Sequence, residues 1–170
     1  MRKAVFLDRD GVINRSEVRG GKPYAPTRVE DFELLPGAAD AMVALRAGGW
    51  LVIVVTNQPD LATGKQSRSG MDAMHQPLRD AGLVDDIKIC PHVDADNCAC
   101  RKPRPGMLLD AAREWDIDLT ASIMVGSLFA TLFINSPWVF PALLVLSGTI
   151  SNFSNKRIPT PLQKPKKINW

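Results

Sequence analysis

All three cysteines of this 170-residue chain lie in one short segment, together with one of its two histidines. The segment runs from Cys90 through His92 and Cys98 to Cys100. Three thiolates and one imidazole make a complete tetrahedral ligand set for Zn²⁺, and four protein ligands leave no position open for a substrate. The pattern therefore predicts a closed, structural zinc site, with buried cysteines that bind no metal as the alternative.

Two carboxylates, Asp8 and Asp10, follow the first apolar run of the chain, and Gly11 comes directly after them. Alternate residues at the end of a strand point to the same side, so the two carboxylates are expected together. Such a pair suits Mg²⁺, which also binds phosphate oxygens of a substrate. One carboxylate can attack phosphorus, and the other can protonate the leaving oxygen and then activate water. The spacing predicts phosphoryl chemistry, with two surface acids in a loop as the alternative.

Further polar side chains follow two other apolar runs. Thr56, Asn57 and Gln58 end one run, where a hydroxyl and amides can donate hydrogen bonds to a phosphoryl oxygen or simply cap a turn. Arg101 and Lys102 follow the cysteine segment. The lysine can neutralise a carboxylate–phosphate pair, and the arginine can bind a second anionic group bidentately. Ordinary surface cations are the alternative for both.

The elements that must position these residues alternate between two patterns. Four short apolar runs predict buried parallel strands, and the segments between them predict helices; the runs are Ala4–Leu7, Leu51–Val55, Ile87–Cys90 and Ser122–Val125, and the helical segments are 36–47, 70–81 and 105–115. This alternation predicts an α/β fold with a doubly wound, Rossmann-like parallel sheet. Functional residues are then expected at the carboxyl ends of the strands. His75 lies in a polar helical stretch and is expected at the surface.

The interval between Asp10 and Thr56 is largely filled by one predicted helix and its approach. Little sequence is left there for an additional structural unit. We therefore expect a sheet without a large cap domain, and an open site that suits a small substrate.

Residues 127–170 differ in composition from the rest of the chain. No charged residue occurs from 119 to 155, and the last five basic residues are accompanied by no acid. The section 128–150 is long enough for a membrane span, but its Asn, Ser and Pro residues favour a buried segment over membrane contact. The basic end lacks the interleaved aromatic residues of a nucleic-acid surface, so no nucleic-acid partner is expected.

The start of the chain reaches Asp8 after a very short apolar stretch, which predicts no secretory signal. Thiols clustered with a histidine favour metal binding in a reducing compartment over a disulfide framework. We therefore expect a cytoplasmic protein. Its length predicts one domain, and we expect a monomer.

Taken together, four motifs resemble the haloacid dehalogenase superfamily of phosphatases, and more narrowly its zinc-loop branch. The resemblance covers residues 1–126 and rests on these segments: Asp8-Arg9-Asp10-Gly11, Val55-Thr56-Asn57-Gln58, Cys90-Pro91-His92 with Cys98-Ala99-Cys100-Arg101-Lys102-Pro103, and Met124-Val125-Gly126. The branch includes phosphatases that act on a heptose bisphosphate and on histidinol phosphate. The resemblance implies a Mg²⁺-dependent phosphatase for the 7-phosphate of D-glycero-D-manno-heptose 1,7-bisphosphate, with histidinol phosphate as the alternative substrate.

The resemblance also implies individual roles. Asp8 would be the nucleophile and Asp10 the general acid and base, while Thr56 and Lys102 would bind the transferring phosphoryl group. Mg²⁺ would be coordinated by Asp8 and by the backbone carbonyl of Asp10. Arg101 would assist substrate recognition. Zn²⁺ would be held by four side chains of the cysteine segment: Cys90, His92, Cys98 and Cys100.

The chain departs from this family after Gly126. Family members continue with an aspartate and a second acid that complete the Mg²⁺ site, whereas this chain continues with Ser127 and contains no later acid. The departure suggests a core over 1–126, with a zinc loop at 90–100, followed by an atypical or truncated part over 127–170, for which a frameshift is one explanation. A catalytically impaired, zinc-stabilised remnant is therefore the alternative to an active enzyme.

Overall fold

The computed structural model of the chain describes residues 1–20 and 22–126. The predicted atypical segment 127–170, including the membrane candidate at 128–150, lies outside the described residues. The strands are β1 (Ala4–Leu7), β2 (Glu17–Arg19), β3 (Lys22–Tyr24), β4 (Leu51–Asn57), β5 (Asp86–Cys90) and β6 (Ile123–Val125), and the helices are α1 (Ala38–Ala47), α2 (Arg68–Asp80) and α3 (Gly106–Trp115).

Within the described residues, the main sheet has four strands in the order β5-β4-β1-β6, and every neighbouring pair is parallel. Strand β1 is central, and the chain adds β4 and β5 on one side before it returns to add β6 on the other. This is the order of a Rossmann-like α/β sheet whose direction of growth reverses beside its first strand. The structure confirms the predicted fold class, and all four predicted strands occur within a few residues of their expected ends.

Helices cover both faces of the sheet because the side chains of each strand alternate between them. On one face, Val5 and Val52 pack with α1 and α2; on the other, Phe6 and Ile53 pack with α3. The strands are therefore apolar on both sides, which explains why their sequences are continuous apolar runs.

The segment between β1 and α1 holds the small antiparallel hairpin β2–β3 and a single 3-10 turn, Val29–Asp31. The described residues thus contain no large cap domain at this position, as expected. Across residues 1–20 and 22–126, no helix has the length and apolar character needed to cross a membrane.

Candidate active site and metal cluster

The carboxyl ends of the four parallel strands bring the predicted phosphoryl-binding residues to one edge of the sheet. Asp8 follows β1, and its backbone N–H donates to the carbonyl of Val125 at the end of β6 (2.9 Å). Thr56 belongs to β4, beside Ile89 of β5. Gln58 follows β4, and its backbone N–H donates to the carbonyl of Cys90 (2.8 Å). Four separate parts of the sequence therefore meet at this edge.

Lys102 and Asp8 form an ion pair at the centre of the edge. Nζ of Lys102 lies 2.6 Å from Oδ1 of Asp8 and donates to the carbonyl of Val55 (3.0 Å). Both side chains are about nine-tenths buried. The Oδ1 atom also accepts the backbone N–H of Arg9 (2.8 Å). Among the described residues Oδ2 accepts no hydrogen bond, so this oxygen is the one available to a substrate.

Asn57 fixes the backbone of Lys102. Its Nδ2 donates to the carbonyl of Lys102 (3.1 Å), and its Oδ1 accepts the N–H of the same residue (3.0 Å). The amide of Asn57 is thus engaged with the lysine backbone at both ends. The pair of bonds joins the end of β4 to the loop that carries Lys102.

The second carboxylate, Asp10, is surrounded by donors. Its Oδ1 accepts from Nε of Arg9 and from Nδ2 of Asn14, both at 3.1 Å. Its Oδ2 accepts from Nη2 of Arg9 (3.1 Å) and from Nε2 of Gln58 (2.7 Å). The same Nε2 also donates to Oγ1 of Thr56 (2.9 Å). Asp10 is therefore held in one orientation, and Gln58 links it to Thr56.

Arg9 and Asn14 are contacts of Asp10 that the motif analysis did not identify. Arg9 is completely buried, and a buried charge must be paired. A signal for Arg9 does exist in the sequence. Alternation along β1 places odd-numbered residues such as Val5 and Leu7 on the α1–α2 face, and Arg9 continues that series. Asn14 lies beyond the turn at Gly11, whose φ of 81° suits glycine, and no periodicity predicts its position.

The expectation that His75 lies at the surface is wrong. Its side chain is completely buried in α2, in the stripe formed with Met71, Met74 and Leu78. The neighbouring residues of α2 are polar because they face solvent, and they concealed a stripe at the i, i+3, i+4, i+7 spacing of a core-facing helix. Burial, followed by the charges of Arg9 and of two further arginines (Arg79 and Arg68), lowers the pKa of His75 to about 3.

The predicted zinc ligands converge in a second cluster. The side-chain ligand atoms of the four residues lie within 4.8 Å of one another: Cys90, His92, Cys98 and Cys100. Sγ of Cys100 lies 3.1 Å from Sγ of Cys90 and 3.2 Å from Nδ1 of His92. The three cysteines form no disulfide. These donors are compatible with a tetrahedral zinc ion whose protein ligands fill every position.

The thiols of this cluster affect one another's protonation. Burial opposes ionisation of Cys98, but hydrogen bonds from the Cys100 thiol and from nearby backbone N–H groups lower the pKa of Cys98 to about 7. Burial and the neighbouring Cys90 and Cys98 raise the pKa of Cys100 to about 12. A divalent cation removes this conflict because it binds every cysteine as a thiolate.

The loop around the cluster leads directly to the active-site edge. Arg101 pairs with Asp94 (Nε to Oδ1, 2.5 Å) and donates from Nη1 to the carbonyl of His92 (3.2 Å). The next residue is Lys102, which contacts Asp8. The cysteine cluster and the sheet edge that carries Asp8 are thus separate sites joined by two consecutive residues.

The loop packs closely against the start of α3. The N–H of Gly106 donates to the carbonyl of Ala99 (3.1 Å), and a Cβ at position 106 would lie only 2.4 Å from that oxygen. Glycine is therefore required where the helix begins. This approach fixes the loop on the sheet face that carries α3.

A parallel sheet with two acids after its first strand, a threonine at the end of the neighbouring strand and a lysine paired with the first acid is the arrangement of a haloacid dehalogenase superfamily phosphatase. A scan against models of known protein families finds no match. Comparison with individual proteins, in contrast, finds related sequences. The D-glycero-β-D-manno-heptose-1,7-bisphosphate 7-phosphatase of Rhodopseudomonas palustris is 40% identical over 137 residues, which cover 74% of this chain and 73% of the relative.

Two further comparisons agree. The D-glycero-α-D-manno-heptose-1,7-bisphosphate 7-phosphatase of Mycobacterium tuberculosis is 42% identical over 134 residues, covering 75% of this chain and 68% of the relative. The crystal structure of the D,D-heptose 1,7-bisphosphate phosphatase of Bordetella bronchiseptica, complexed with magnesium and phosphate, matches with a TM-score of 0.66 and 36% identity, covering 76% of this chain and 73% of that one. The chain belongs to the heptose 1,7-bisphosphate 7-phosphatase family of this superfamily.

Proposed function

We propose that this enzyme removes the 7-phosphate of D-glycero-D-manno-heptose 1,7-bisphosphate through a phosphorylated Asp8. The observation that carries the proposal is the pairing of Lys102 with Oδ1 of Asp8 (2.6 Å), which leaves Oδ2 without a described donor. A carboxylate oriented in this way presents one oxygen for attack while its other oxygen is held. The identity of the substrate is inferred from the names of the relatives described above.

In the first step, Oδ2 of Asp8 attacks phosphorus in line with the sugar O7. The O–P bond to Asp8 forms as the bond from phosphorus to O7 breaks. For this step Asp10 exchanges one of the N–H contacts on its oxygens for a proton and gives that proton to O7, which leaves as a neutral hydroxyl. Lys102 and the hydroxyl of Thr56 are placed to stabilise the negative charge that spreads over the phosphoryl oxygens.

In the second step, water hydrolyses the aspartyl phosphate. Asp10, now a carboxylate, takes a proton from the attacking water, and the bond between phosphorus and Asp8 breaks. Inorganic phosphate leaves, and the proton on Asp10 restores the starting state. Asn57 and Gln58 act on the substrate indirectly, by positioning residues that contact it. Asn57 fixes the backbone of Lys102, and Gln58 joins Asp10 to Thr56.

The residues present fit a weakly held Mg²⁺ ion. Asp8 would contribute its carboxylate and Asp10 its backbone carbonyl, whereas both side-chain oxygens of Asp10 accept N–H groups. Protein Mg²⁺ sites often use one or two carboxylates together with substrate phosphate and water. When bound, the ion supplies charge neutralisation at the phosphoryl oxygens. The acids that complete the family's site do not occur after Gly126.

We also propose that the cysteine cluster holds a structural zinc ion. The support is the convergence of four ligand atoms, three thiols and one imidazole, within 4.8 Å. The ion would fix the loop that carries Arg101 and Lys102. Its contribution to catalysis is therefore indirect, through the placement of these two cations.

Arg101 is proposed to recognise the second phosphate of the substrate. It is ion-paired with Asp94, whose side chain is 90% exposed. An ion pair with so exposed a partner contributes little to stability, so a phosphate can replace the carboxylate at small cost. The guanidinium is suited to this exchange because it binds phosphate oxygens bidentately.

The experiment that tests the function measures phosphate release from the α and β anomers of the heptose bisphosphate and from histidinol phosphate, each with and without Mg²⁺. Relatives named for either anomer are similarly close to this chain, so both anomers are needed. ³¹P NMR identifies which phosphate leaves. Loss of the 7-phosphate in a Mg²⁺-dependent reaction supports the proposal, while preferential turnover of histidinol phosphate would replace its substrate.

The second candidate is an impaired enzyme that retains the fold and the zinc cluster. One observation favours it: residues 119–170 contain no Asp or Glu. A Mg²⁺ titration separates the candidates, because a missing ligand weakens metal binding. Half-maximal turnover at millimolar Mg²⁺ would indicate a weakened site, and no turnover from folded, zinc-loaded protein would indicate the remnant.

We further propose that the chain acts as a cytoplasmic monomer without nucleic-acid or membrane partners. A cluster of three free thiols is typical of a reducing compartment. Size-exclusion chromatography with light scattering tests the oligomeric state. Association with membranes after cell fractionation would overturn the proposed location.

A further inference from the structure

The completely buried pair Arg9 and His75 belongs to neither the phosphoryl-binding set nor the zinc cluster. Nη1 of Arg9 lies 3.1 Å from Nε2 of His75, and the remaining guanidinium nitrogens face Asp10. Arg9 thus stands between the general acid of the proposed reaction and a residue of α2.

The hydrogen positions on His75 follow from this contact. A guanidinium can only donate hydrogen bonds, so Nε2 of His75 must be the acceptor and the imidazole is neutral with its hydrogen on Nδ1. Nδ1 is buried and has no partner among the described residues. A neutral histidine whose second nitrogen is left unpaired is costly in a core, where an apolar residue could pack instead. Among the described residues, the contact with Arg9 is the polar interaction that accounts for it.

The surroundings leave Arg9 few alternative orientations. Its Cζ lies 5.8 Å from the centre of the Phe32 ring, and Nη1 also lies 3.0 Å from Sδ of Met71. Phe32 itself packs edge-on against His75, with 6.4 Å between ring centres. Three elements therefore enclose the guanidinium: the end of β1, the turn before α1, and α2.

We propose that His75 is a positioning residue, whose imidazole fixes the Arg9 guanidinium in the orientation that holds both carboxylate oxygens of Asp10. Nε and Nη2 of Arg9 reach Asp10 as a fork, and Nη1 is the corner left for His75. The hydrogen bond between Nη1 and His75 prevents the guanidinium from rotating about the bond that joins it to the rest of the Arg9 side chain. The catalytic consequence rests on the proposed function, in which Asp10 delivers a proton to the leaving oxygen.

The test compares His75→Phe, which removes the acceptor but keeps a ring, with His75→Gln, which keeps a neutral acceptor. Met74→Leu is the matched control, because Met74 is equally buried in α2 and belongs to the apolar core. Each variant is assayed for kcat/KM on the heptose bisphosphate and on p-nitrophenyl phosphate. The aryl leaving group departs without a proton, so its kcat/KM does not depend on a correctly placed general acid.

For His75→Phe we expect kcat/KM on the sugar phosphate to fall about tenfold or more, since general acids contribute about 10²–10⁴-fold, while the aryl phosphate changes by less than about twofold. His75→Gln should recover much of the lost kcat/KM, and Met74→Leu should leave kcat/KM unchanged on both substrates. An equal fall on both substrates, or no fall on the sugar phosphate, would overturn the proposal.

A second measurement does not require turnover. The side-chain N–H signals of Arg9 in the ¹⁵N-edited NMR spectrum should be resolved and slowly exchanging in the wild type and in His75→Gln, and averaged in His75→Phe. Unchanged Arg9 signals in His75→Phe would refute the positioning role. If the wild-type protein hydrolyses neither phosphate ester, the proposed function fails, while these spectra still decide whether His75 fixes Arg9.

Discussion

The ammonium group of Lys102 lies 2.6 Å from Oδ1 of Asp8, although the two residues come from distant parts of the sequence. Lys102 is brought there by the loop that carries the cysteine cluster and is fixed by the amide of Asn57. The contact therefore joins the proposed nucleophile to the proposed zinc site. It explains how a structural metal can influence phosphoryl transfer without touching the substrate.

Replacement of Lys102 tests this contact. Lys102→Met should lower kcat on the heptose bisphosphate by about 100-fold or more, the usual cost of removing one preorganised charge-stabilising group. Steady-state phosphate release measures the effect. Lys65→Met, which removes an exposed lysine, should leave the rate unchanged. A Lys102→Met enzyme with wild-type kcat would contradict the role assigned to this residue.

Zinc content tests the cysteine cluster. Purified protein should contain about one zinc ion per chain by plasma mass spectrometry, and Cys100→Ser should lose the ion and unfold at a lower temperature, because metal binding free energy adds to folding free energy. Asp94→Asn, an acid of the same loop outside the ligand set, should keep its zinc. A wild-type protein that is purified without zinc, and that melts at the same temperature when zinc is added, would refute the site.

The close approach of the loop to α3 gives a stability prediction. Gly106→Ala places a Cβ 2.4 Å from the carbonyl oxygen of Ala99, so the loop must shift. We expect a loss of about 1–3 kcal/mol in the free energy of unfolding, measured by urea denaturation, and a faster loss of zinc to a chelator. Leu109→Ala, at an exposed position of the same helix, should change stability by less than about 0.5 kcal/mol.

The buried His75 makes stability depend on pH. Its pKa is lowered from 6.5 to about 3 in the folded chain, so the unfolded chain binds the additional proton between these values. The stabilising contribution is complete above pH 6.5 and is lost progressively as the pH falls toward 3, at up to about 1.4 kcal/mol per pH unit. Urea denaturation across this range should show a steeper decline for wild type than for His75→Phe. Parallel curves would mean that folding does not lower the pKa of His75.

Much of this arrangement was predictable because the physics is local. Apolar runs such as Leu51–Val55 identify buried parallel strands, and parallel strands bring their carboxyl ends together. The convergence of the cysteine cluster was predictable because the chemistry of metal binding restricts ligands to a few residue types. His75 was mispredicted, since a polar helix face conceals one buried stripe in a single sequence. The Arg9–Asp10–Gln58 contacts depend on side-chain directions that only the folded chain defines.

The most direct test of the account is to trap the covalent intermediate. The reaction with the heptose bisphosphate and Mg²⁺ is quenched rapidly, the acyl phosphate is reduced with borohydride, and the peptides are sequenced by mass spectrometry. Reduction of an aspartyl phosphate converts that residue to homoserine. The account predicts homoserine at position 8, with neither label nor phosphate release in Asp8→Asn. Label at another residue, or phosphate release by Asp8→Asn at the wild-type rate, would contradict it.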